Sequence, residues 1–477
     1  MARRVGIVGA GIGGLATALR LAHEGHEVEV FERLDQPGGR NARLRVGQAD
    51  FDAGPTLVMM LDPFRRIFED VGERIEDHLD LRLLDPGYRA IFPDGTGIDA
   101  TSNMASLMEQ VRRLAGPRDA LRVPEFLGRT AALYRDAVPN FVERNYRSVL
   151  DLASPKAVGL VLRHGMTGNL YRRVCSAFED DRLRRLFSFQ TLYLGMSPTD
   201  APWVYAVLAF MEYGGGVWYP MGGVAKLTEA LVRLAEARGV RFRFETPVEA
   251  VGPGTIEACG RTHRFDAVVC NADLPYARQQ LRRRPIRRRL RHSCSAIMLY
   301  ADYQGPLDGL LHHNFVFGDD YLANLDWVFH GGPAVPDPAF YCCVSSLTDP
   351  SRAAPGHHNL MLLIPCPNLD RPLSAEESQT LIDGALDRLE ARSAFRRAGL
   401  LQQSALHPAA WRDRLNLDKG AAFGLAHDFL QSACFRPSNV DAEGVVYVGA
   451  STVPGNGLPM VLISAELATE RVRRLLG

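Results

Sequence analysis

The sequence lacks the features that mark several classes of protein. Its 55 basic and 55 acidic residues cancel, so the formal net charge is zero and the overall charge does not favour nucleic acid as a partner. The longest apolar run, residues 201–211, is about half of the ~20 residues that a membrane-spanning helix needs. The N-terminus passes from Met-Ala-Arg-Arg directly into a predicted strand, which leaves no room for a signal peptide. We therefore expect a cytoplasmic globular protein that does not cross a membrane.

Cysteine and histidine spacing gives no indication of a disulfide framework or a metal site. The eight cysteines include no C-x-x-C pair, a usage that is typical of a reducing compartment. The adjacent pairs Cys342–Cys343, His312–His313 and His357–His358 would direct their side chains to opposite faces of a strand. Because neighbours could then not share a metal ion, we predict no metal site.

The N-terminal residues have the pattern of a dinucleotide-binding unit. A predicted buried strand over 5–8 is followed by Gly9, Gly11 and Gly14 in the spacing G-x-G-x-x-G, and then by a predicted helix from 12 to about 24. The first glycine permits a tight turn, the second lets the backbone approach a pyrophosphate, and the third lets helix and strand pack closely. The helix N-terminus would direct free N–H groups at the phosphates.

A second predicted strand, residues 27–31, ends beside an acidic residue. Glu32 is placed to accept hydrogen bonds from both ribose hydroxyls of an adenosine, and its charge would repel a 2′-phosphate. The unit therefore favours FAD or NAD over NADP.

Further motifs favour FAD over NAD. Gly38-Gly39-Arg40 places flexible backbone and a guanidinium near the expected pyrophosphate, and residues 51–56 supply another tight turn. An NAD dehydrogenase would continue here with a second mononucleotide-binding half, which this chain does not. Residues 444–472 form a predicted strand, a glycine-rich loop and a helix whose N-terminus would stabilise the negative charge of a reduced flavin. The residues expected to bind the cofactor are Gly9, Gly11, Gly13, Gly14, Glu32, Arg33, Gly39, Arg40, Gly54, Pro55, Thr56, Val248, Asn271, Gly449, Pro459 and Met460.

Motifs spread over the whole sequence resemble those of one family. In chain order they are the dinucleotide unit, G-G-R, F-D-x-G-P-T, "FSFQTLYLGMSPTDAPWVY", "GVWYPMGG", "VVCNAD" and "GASTVPGNGLPMV". The chain is thus similar to bacterial-type phytoene desaturases, the FAD-dependent carotenoid desaturases that are related to amine oxidases and protoporphyrinogen oxidase. It departs from the pattern at one position, since many members have His before the last Pro-Gly and this chain has Val453.

The resemblance implies an α/β fold with a discontinuous Rossmann-like FAD-binding domain and a mixed-sheet and helical substrate domain. The length of 477 residues agrees with more than one domain. We expect residues 1–75, 216–275 and 435–477 to form the FAD-binding domain, with 239–251 and 265–273 as strands of one sheet. Segment 76–215 has mostly helical patterns, and segment 276–434 has mostly strand patterns.

The resemblance also implies a reaction in which an isoprenoid loses a hydride to the flavin and a proton from the neighbouring carbon. A carboxylate near the reacting carbons would stabilise positive charge, and a weak base would take the proton. By analogy with a similar family stretch, the catalytic candidates are Glu179, Asp180, Asp181 and Arg184. The alternative, an ordinary helix start with acid at its positive end, stays open. Asp52 is a weaker candidate, because a turn-stabilising role beside Gly54 suits it better.

The expected partners follow from this chemistry. No second G-x-G-x-x-G is present, so electrons would leave to oxygen or a quinone rather than arrive from NAD(P)H. An apolar carotenoid substrate lies in the bilayer, and contact with the membrane surface is expected at 154–174, which is apolar with basic ends, or at 277–293, which holds eight Arg. A solvated Arg-rich surface is the alternative for the second segment. Aromatic residues that could line a polyene tunnel are Phe187, Phe189, Tyr193, Trp203, Tyr205, Trp218 and Tyr219.

Three other functions are compatible with the same motifs. A flavin amine oxidase or another polyene-tailoring oxidase would share the fold, and a carotene isomerase would need reduced flavin without consuming it. A prenyl-binding escort protein would share the fold without a working flavin, although the intact glycines, Glu32 and G-G-R argue against it.

Overall fold

The computed structural model describes residues 2–146, 148–286 and 288–477, and the predicted α/β class is confirmed. The described strands are β1 (Arg4–Val8), β2 (Glu27–Phe31), β3 (Arg43–Val46), β4 (Ala49–Asp52), β5 (Leu81–Leu84), β6 (Tyr88–Ile91), β7 (Gly97–Ala100), β8 (Val217–Pro220), β9 (Arg241–Arg243), β10 (Val248–Gly252), β11 (Thr255–Ala258), β12 (Arg261–Arg264), β13 (Ala267–Cys270), β14 (Ser295–Tyr303), β15 (His313–Val316), β16 (Phe340–Val344), β17 (His358–Cys366), β18 (Leu400–Leu406) and β19 (Val446–Tyr447).

The described α-helices are α1 (Ile12–His23), α2 (Asp62–Glu69), α3 (Met104–Ala115), α4 (Pro117–Ala137), α5 (Pro155–His164), α6 (Leu170–Ala177), α7 (Asp181–Leu186), α8 (Val207–Tyr213), α9 (Ala225–Ala237), α10 (Leu274–Tyr276), α11 (Tyr321–Phe329), α12 (Ala375–Arg392), α13 (Pro408–Leu415) and α14 (Leu458–Leu476). Some of these helices lie between the strands, and α3 to α8 follow one another without an intervening strand.

The two ends of the chain meet in a five-stranded parallel sheet of order β19-β13-β1-β2-β9. β1 lies in the middle, and its apolar residues are buried, as is usual for strands of a parallel sheet. Helix α1 packs against β1 and β2 and also contacts α9 and α14. The predicted strand–turn–helix–strand unit is confirmed, and α1 ends two residues before Gly25, which adopts a φ of 87°.

The prediction of a single strand over 239–251 in this sheet is wrong. β9 joins the parallel sheet, whereas β10 begins a separate antiparallel sheet of order β10-β11-β12. Between them Glu245 takes a left-handed φ of 51°, and Pro247 has no N–H with which to continue the ladder. Val248 therefore lies in the second sheet, while the predicted strand at 265–273 joins the first sheet as β13.

A seven-stranded sheet of order β18-β14-β17-β16-β15-β6-β7 forms the second large layer. Its neighbours are antiparallel except for the parallel pair β15–β6. Segment 276–434 supplies β14 to β18, in agreement with its predicted strand content. Segment 76–215 supplies β6 and β7, so its predicted helical character holds only from α3 onward. The division into three domains stays a prediction.

This sheet is covered on both faces. On β14, Met298 and Tyr300 face a core formed with α4, α6, α7 and α8. The alternating residues Ile297 and Leu299 face a second core formed with α12. In residues 2–146, 148–286 and 288–477, no helix combines the length and the apolar character needed to cross a bilayer.

A buried ion pair joins three distant parts of the chain. Asp52, at the end of β4, accepts a hydrogen bond from the N–H of Ala225 at 2.9 Å, where α9 begins. Its other carboxylate oxygen lies 3.4 Å from the guanidinium of Arg352, and the two side chains are only 4% and 1% exposed. Arg352 also donates to the carbonyl oxygen of Gly222 at 2.5 Å. Asp52 is thus held in a structural network, which agrees with a structural rather than a catalytic role.

Replacing Arg352 by Met should destabilise the protein strongly. The substitution leaves the buried carboxylate of Asp52 without a positive partner, and breaking one side of a buried pair costs about 3–5 kcal/mol. We expect a clearly lower urea midpoint, followed by circular dichroism.

Two controls separate this effect from a general loss of packing. The double variant Asp52→Asn/Arg352→Met removes both charges and should regain part of the stability. Arg82→Met breaks an exposed pair with Asp80 and should leave the midpoint unchanged. An Arg352→Met variant as stable as the wild type would contradict the structural role.

Candidate functional site

A cavity of about 660 Å³ runs from the carboxyl ends of β1 and β2 to the seven-stranded sheet. Its first part is lined by Val8 and Gly9 after β1 and by Phe31 and Glu32 after β2. We call this part the dinucleotide end, or cofactor end, of the cavity. Ligands of open α/β sheets bind outside the carboxyl ends of the strands, so this is the position expected for a dinucleotide. Of the residues expected to bind the cofactor, all but Gly14 line the cavity: Gly9, Gly11, Gly13, Glu32, Arg33, Gly39, Arg40, Gly54, Pro55, Thr56, Val248, Asn271, Gly449, Pro459 and Met460.

Gly14 lies behind the cavity, where α1 meets the turn after β1. A Cβ on Gly14 would overlap the carbonyl oxygen of Gly9, so helix and strand approach only because this Cβ is absent. A Cβ on Gly11 would lie 2.7 Å from the Asn271 amide nitrogen, which itself donates to the Gly9 carbonyl at 3.3 Å. The glycine turn is therefore packed closely on one side and open to the cavity on the other.

Glu32 is oriented by the backbone on both sides. One carboxylate oxygen accepts from the N–H of Ala10 at 2.7 Å, and the other accepts from the N–H of Leu34 at 2.9 Å. The side chain is buried and lines the cavity. Each oxygen keeps a second lone pair, so both can still accept a hydrogen bond from a ribose hydroxyl.

Two arginines at this end differ in their surroundings. Arg40 is partly buried, donates to the Ala422 carbonyl at 3.1 Å, and has its pKa lowered by burial although Asp273 opposes the shift. Arg33 reaches toward the solvent, where it donates to the side-chain oxygen of Asn416 at 2.6 Å and to the carbonyl oxygen of Asp413 at 2.9 Å. Of the two, Arg40 is the less exposed, as a pyrophosphate-binding guanidinium would be.

The C-terminal loop and α14 close the cavity from the other side. Gly449 has a φ of 118°, and its N–H donates to the hydroxyl of Ser464 at 3.1 Å. Pro459 and Met460 belong to the first turn of α14, which begins at Leu458 without a side-chain cap. The uncapped N–H groups of this turn can therefore serve a ligand.

Sequence reasoning missed His427, which lines the cavity beside this loop. Its Nε2 accepts from the N–H of Asn456 at 3.4 Å, and burial lowers the pKa of the imidazole well below its usual value. His427 sits close against Gly455. No local motif marks it, because it reaches the loop only through the tertiary fold.

The far part of the cavity is an aromatic chamber formed by Phe189, Tyr193, Phe315, Phe317 and Tyr341. Four of these rings form a series of contacts. Their centroids lie 5.7 Å apart for Phe189 and Tyr193, 5.9 Å for Tyr193 and Phe315, and 4.9 Å for Phe315 and Tyr341. The hydroxyl of Tyr341 lies 2.7 Å from the Thr56 hydroxyl, which ties the chamber to the cofactor-binding candidates.

Only part of the predicted aromatic lining reaches the cavity. Phe189, Tyr193 and Tyr205 line it. The others are absent from the lining of the described cavity; they are Phe187, Trp203, Trp218 and Tyr219. The chamber instead takes Phe315, Phe317 and Tyr341 from the seven-stranded sheet and its edges, which the sequence did not single out.

The expectation that His312 and His313 point apart is wrong. His312 precedes β15, and the two imidazole centroids lie only 4.2 Å from each other. With Cys343 they form a buried group whose donor atoms all lie within 4.8 Å of one another, an arrangement that could hold a metal ion. The Nδ1 atom of His313 is 2.6 Å from the Tyr341 hydroxyl, and that of His312 is 2.9 Å from the Thr348 hydroxyl.

The four catalytic candidates do not line the cavity. Asp180 is the N-cap of α7 and accepts from the N–H of Arg182 at 2.8 Å. The side chains of Glu179 and Asp181 are about half exposed and pair with nearby arginines. Arg184 donates to the carbonyl oxygen of Phe178 at 3.0 Å. Asp180 and Asp181 thus lie where the helix-start alternative expects them, because an acid at the positive end of a helix stabilises it.

A buried carboxyl group that the sequence did not indicate lies behind the aromatic chamber. Glu212 of α8 is 3% exposed, and one of its oxygens accepts from the Tyr193 hydroxyl at 3.2 Å. Burial raises the pKa of Glu212 to about 8. A carboxyl group with such a pKa can hold or release a proton near neutral pH.

The two segments expected at the membrane differ in the structure. Residues 154–174 form α5 and the start of α6, and Val158 and Leu162 on α5 are exposed. In 277–293, however, several arginines bind protein groups. Arg282 is buried and pairs with Asp441 and Glu443. Further arginines of this segment that contact protein groups are Arg278, Arg284, Arg288 and Arg291, while residue 287 lies outside the described part.

The sequence matches known proteins over nearly its full length. Residues 12–473 match the family model of flavin-containing amine oxidoreductases. A zeta-carotene-forming phytoene desaturase of Myxococcus xanthus is 39% identical over 98% of this chain and 94% of the relative. A phytoene dehydrogenase of Streptomyces griseus is 36% identical over the same shares. A crystal structure of an oxidoreductase from Methanosarcina mazei, 18% identical, has the same fold with a TM-score of 0.66 over 98% of this chain and all of that one.

The dinucleotide end of the cavity and these matches agree with each other. The chain belongs to the phytoene desaturase family of flavin-containing amine oxidoreductases, and its cofactor is FAD.

Proposed function

We propose that this chain introduces double bonds into phytoene or a closely related carotenoid precursor. The observation that carries the proposal is one continuous cavity that joins the dinucleotide end to the aromatic chamber. Its apolar walls suit a long hydrocarbon, and relatives at 39% and 36% identity bear the names phytoene desaturase and phytoene dehydrogenase. An apolar pocket with few polar groups orients such a ligand by shape.

The residues of the dinucleotide end would hold FAD. Bound FAD supplies the acceptor for a hydride. Glu32 would bind the adenosine ribose, Gly11 would let the backbone approach the pyrophosphate, and Arg40 would offset its charge. The N–H groups of the first turn of α14 would face the flavin ring and favour its reduced, negatively charged form.

The aromatic chamber would position the substrate and exclude water. Phe189, Phe315 and Tyr341 line the chamber with aromatic rings that suit a polyene, and the Thr56–Tyr341 contact links this wall to the cofactor-binding candidates. A dry chamber stabilises charge developing between fixed dipoles and prevents water from adding to a cation-like carbon. Oxygen or a quinone would then take the electrons.

An amine oxidase is supported less well by the same cavity. A protonated amine in an apolar chamber needs a negatively charged partner close to the reacting atom. Among the described lining residues the carboxylates are Glu32 and Asp273, and both follow strands of the five-stranded sheet at the cofactor end. The aromatic chamber itself is lined by rings and two tyrosine hydroxyls.

The substrate would be reached at the membrane surface through α5. Val158 and Leu162 are one helical turn apart, and they are 44% and 76% exposed. Lys156 and Arg163 flank them and suit anionic headgroups. We infer a peripheral contact on a cytoplasmic membrane face, made by α5 rather than by the paired arginines of 277–293.

Desaturation should be visible in a single anaerobic experiment. Holoprotein mixed with phytoene-loaded liposomes should lose its oxidised flavin absorbance as structured polyene bands grow, and the band positions count the new double bonds. Admitting oxygen or a soluble quinone afterwards should restore the flavin band. A flavin that stays oxidised with phytoene would contradict the proposal, and amine turnover under the same conditions would favour the oxidase.

FAD binding should depend on the missing Cβ of Gly14. Gly14→Ala forces α1 away from the Gly9 carbonyl and should lower the bound FAD at least about tenfold, since even 1.4 kcal/mol of lost binding is tenfold. The measurement is the ratio of flavin to protein absorbance after purification. Gly128→Ala is the matched control, because a Cβ there meets no atom of the described residues within 4 Å. Full FAD content in Gly14→Ala would contradict the proposed binding mode.

Liposome binding should depend on the exposed apolar residues of α5. Val158→Asp/Leu162→Asp should lower the fraction that sediments with anionic liposomes at least about tenfold, because burying one such side chain contributes ~1.5 kcal/mol or more. Leu401→Asp is the control, since Leu401 is 49% exposed on the edge strand β18. Equal loss in both variants, or loss in neither, would place the membrane contact elsewhere.

A further inference from the structure

Glu212 lies directly behind the wall of the aromatic chamber. It belongs to α8 and is enclosed between this helix, β6 and the turn that holds Tyr193. Tyr193 lines the cavity, and its hydroxyl donates to one oxygen of Glu212 at 3.2 Å. The other oxygen of Glu212 is buried and has no hydrogen-bond partner among the described groups. A buried carboxyl oxygen left without a partner is costly, so its retention calls for an explanation beyond packing.

The surroundings of Glu212 are polar but carry no charge. The titratable groups that face it are Tyr88 from β6, Tyr193 from the neighbouring turn and Tyr213 from its own helix. The hydroxyls of Tyr88 and Tyr213 lie 2.7 Å apart. Burial raises the pKa of Glu212 to about 8, against the opposing effect of the neighbouring Tyr88, Tyr193 and Gln190 side chains. No charged side chain of the described part is among the groups that shift it.

Tyr193 belongs to a series of contacts that leads to the cofactor-binding candidates. Its ring contacts Phe315, the ring of Phe315 contacts Tyr341, and the Tyr341 hydroxyl contacts Thr56 at the cofactor end. The catalytic candidates near α7 lie outside the cavity, so the proton lost in desaturation needs another acceptor. Tyr193 lines the chamber, and its hydroxyl contacts the carboxyl group of Glu212.

We propose that Glu212, acting through the hydroxyl of Tyr193, accepts the proton that the substrate loses during desaturation. The inference rests on the proposed function. As the hydride leaves one carbon for the flavin, the C–H bond of the neighbouring carbon breaks and its electron pair forms the new double bond. That proton passes to the Tyr193 oxygen while the Tyr193 hydroxyl proton passes to the ionised carboxylate of Glu212. Glu212 then returns the proton to solvent before the next turnover.

The sign of the pH dependence follows from this sequence. Glu212 accepts a proton only when it is ionised, so the rate of the chemical step should rise as the pH rises through about 8. A second hydroxyl of the chamber, Tyr341, lies 2.6 Å from His313. Burial holds the pKa of His313 well below its usual value. The Tyr341–His313 pair would therefore not produce an inflection of the rate near pH 8.

The kinetic test measures the single-turnover rate of flavin reduction by phytoene as a function of pH, and it compares wild-type protein with variants. Wild-type protein should show a rising inflection near 8. Glu212→Gln and Tyr193→Phe should each lose the inflection and slow the step about 10²-fold at high pH, a typical contribution of a general base. The double variant should be no slower than either single one, because both act in one path. Tyr341→Phe is the control and should retain the inflection.

A second readout is independent of turnover. In the infrared spectrum of the oxidised protein without substrate, a band of a buried protonated carboxyl group should disappear as the pH rises through about 8, and Glu212→Gln should lack this band. Flavin content and melting temperature of each variant report folding. A carboxyl group that is already ionised at pH 6, or a Glu212→Gln variant that keeps the wild-type profile, would overturn the inference.

The two proposals fail in different ways. If wild-type protein converts no carotenoid, the proposed function fails, while the infrared band still reports the protonation of Glu212. If wild-type protein desaturates phytoene but the profile lacks the inflection, the function stands and Glu212 is not the acceptor.

Discussion

The close contact between α1 and the turn after β1 is the constraint on which the rest of the structure depends. It exists because Gly14 has no Cβ to meet the Gly9 carbonyl. Residues 12–22 of α1 are all buried, since the helix is held between the parallel sheet, α9 and α14. A helix pressed so closely onto the sheet fixes where the carboxyl ends of the strands open. It therefore also fixes the dinucleotide end of the cavity and the position of α14 opposite it.

Short sequence motifs predict the parts of the fold whose residues lie close together in sequence. The glycine spacing, Glu32 and the C-terminal glycine loop each mark a short segment whose backbone geometry requires those residues, and the structure brings them to one cavity. The prediction of one strand over 239–251 is wrong because the apolar alternation continues past Glu245 and Pro247, where the backbone turns into another sheet. The pattern of side chains does not reveal which sheet a short strand joins.

Short sequence motifs do not predict the aromatic chamber or its polar neighbours. Phe315 and Tyr341 come from strands that meet only in the folded sheet, and His427 reaches the C-terminal loop from a segment without regular structure. The sequence also does not show which acidic residues are buried beside the cavity. The cluster around Asp180 has the more suggestive sequence but caps a helix, whereas Glu212 stands in an unremarkable stretch and is enclosed by tyrosines. Burial, which depends on contacts distant in sequence, separates the two.

The order of the strands in the parallel sheet has a consequence for how the wall of the cavity is assembled. β19 pairs with β13, and α14 packs on α1, although α14 is separated from α1 by most of the described sequence. The glycine turn and Glu32 come from one short segment, whereas Gly449, Pro459 and Met460 come from another that must dock against it. A loss of the β13–β19 and α1–α14 contacts would therefore open one side of the cavity and leave the glycine turn itself intact.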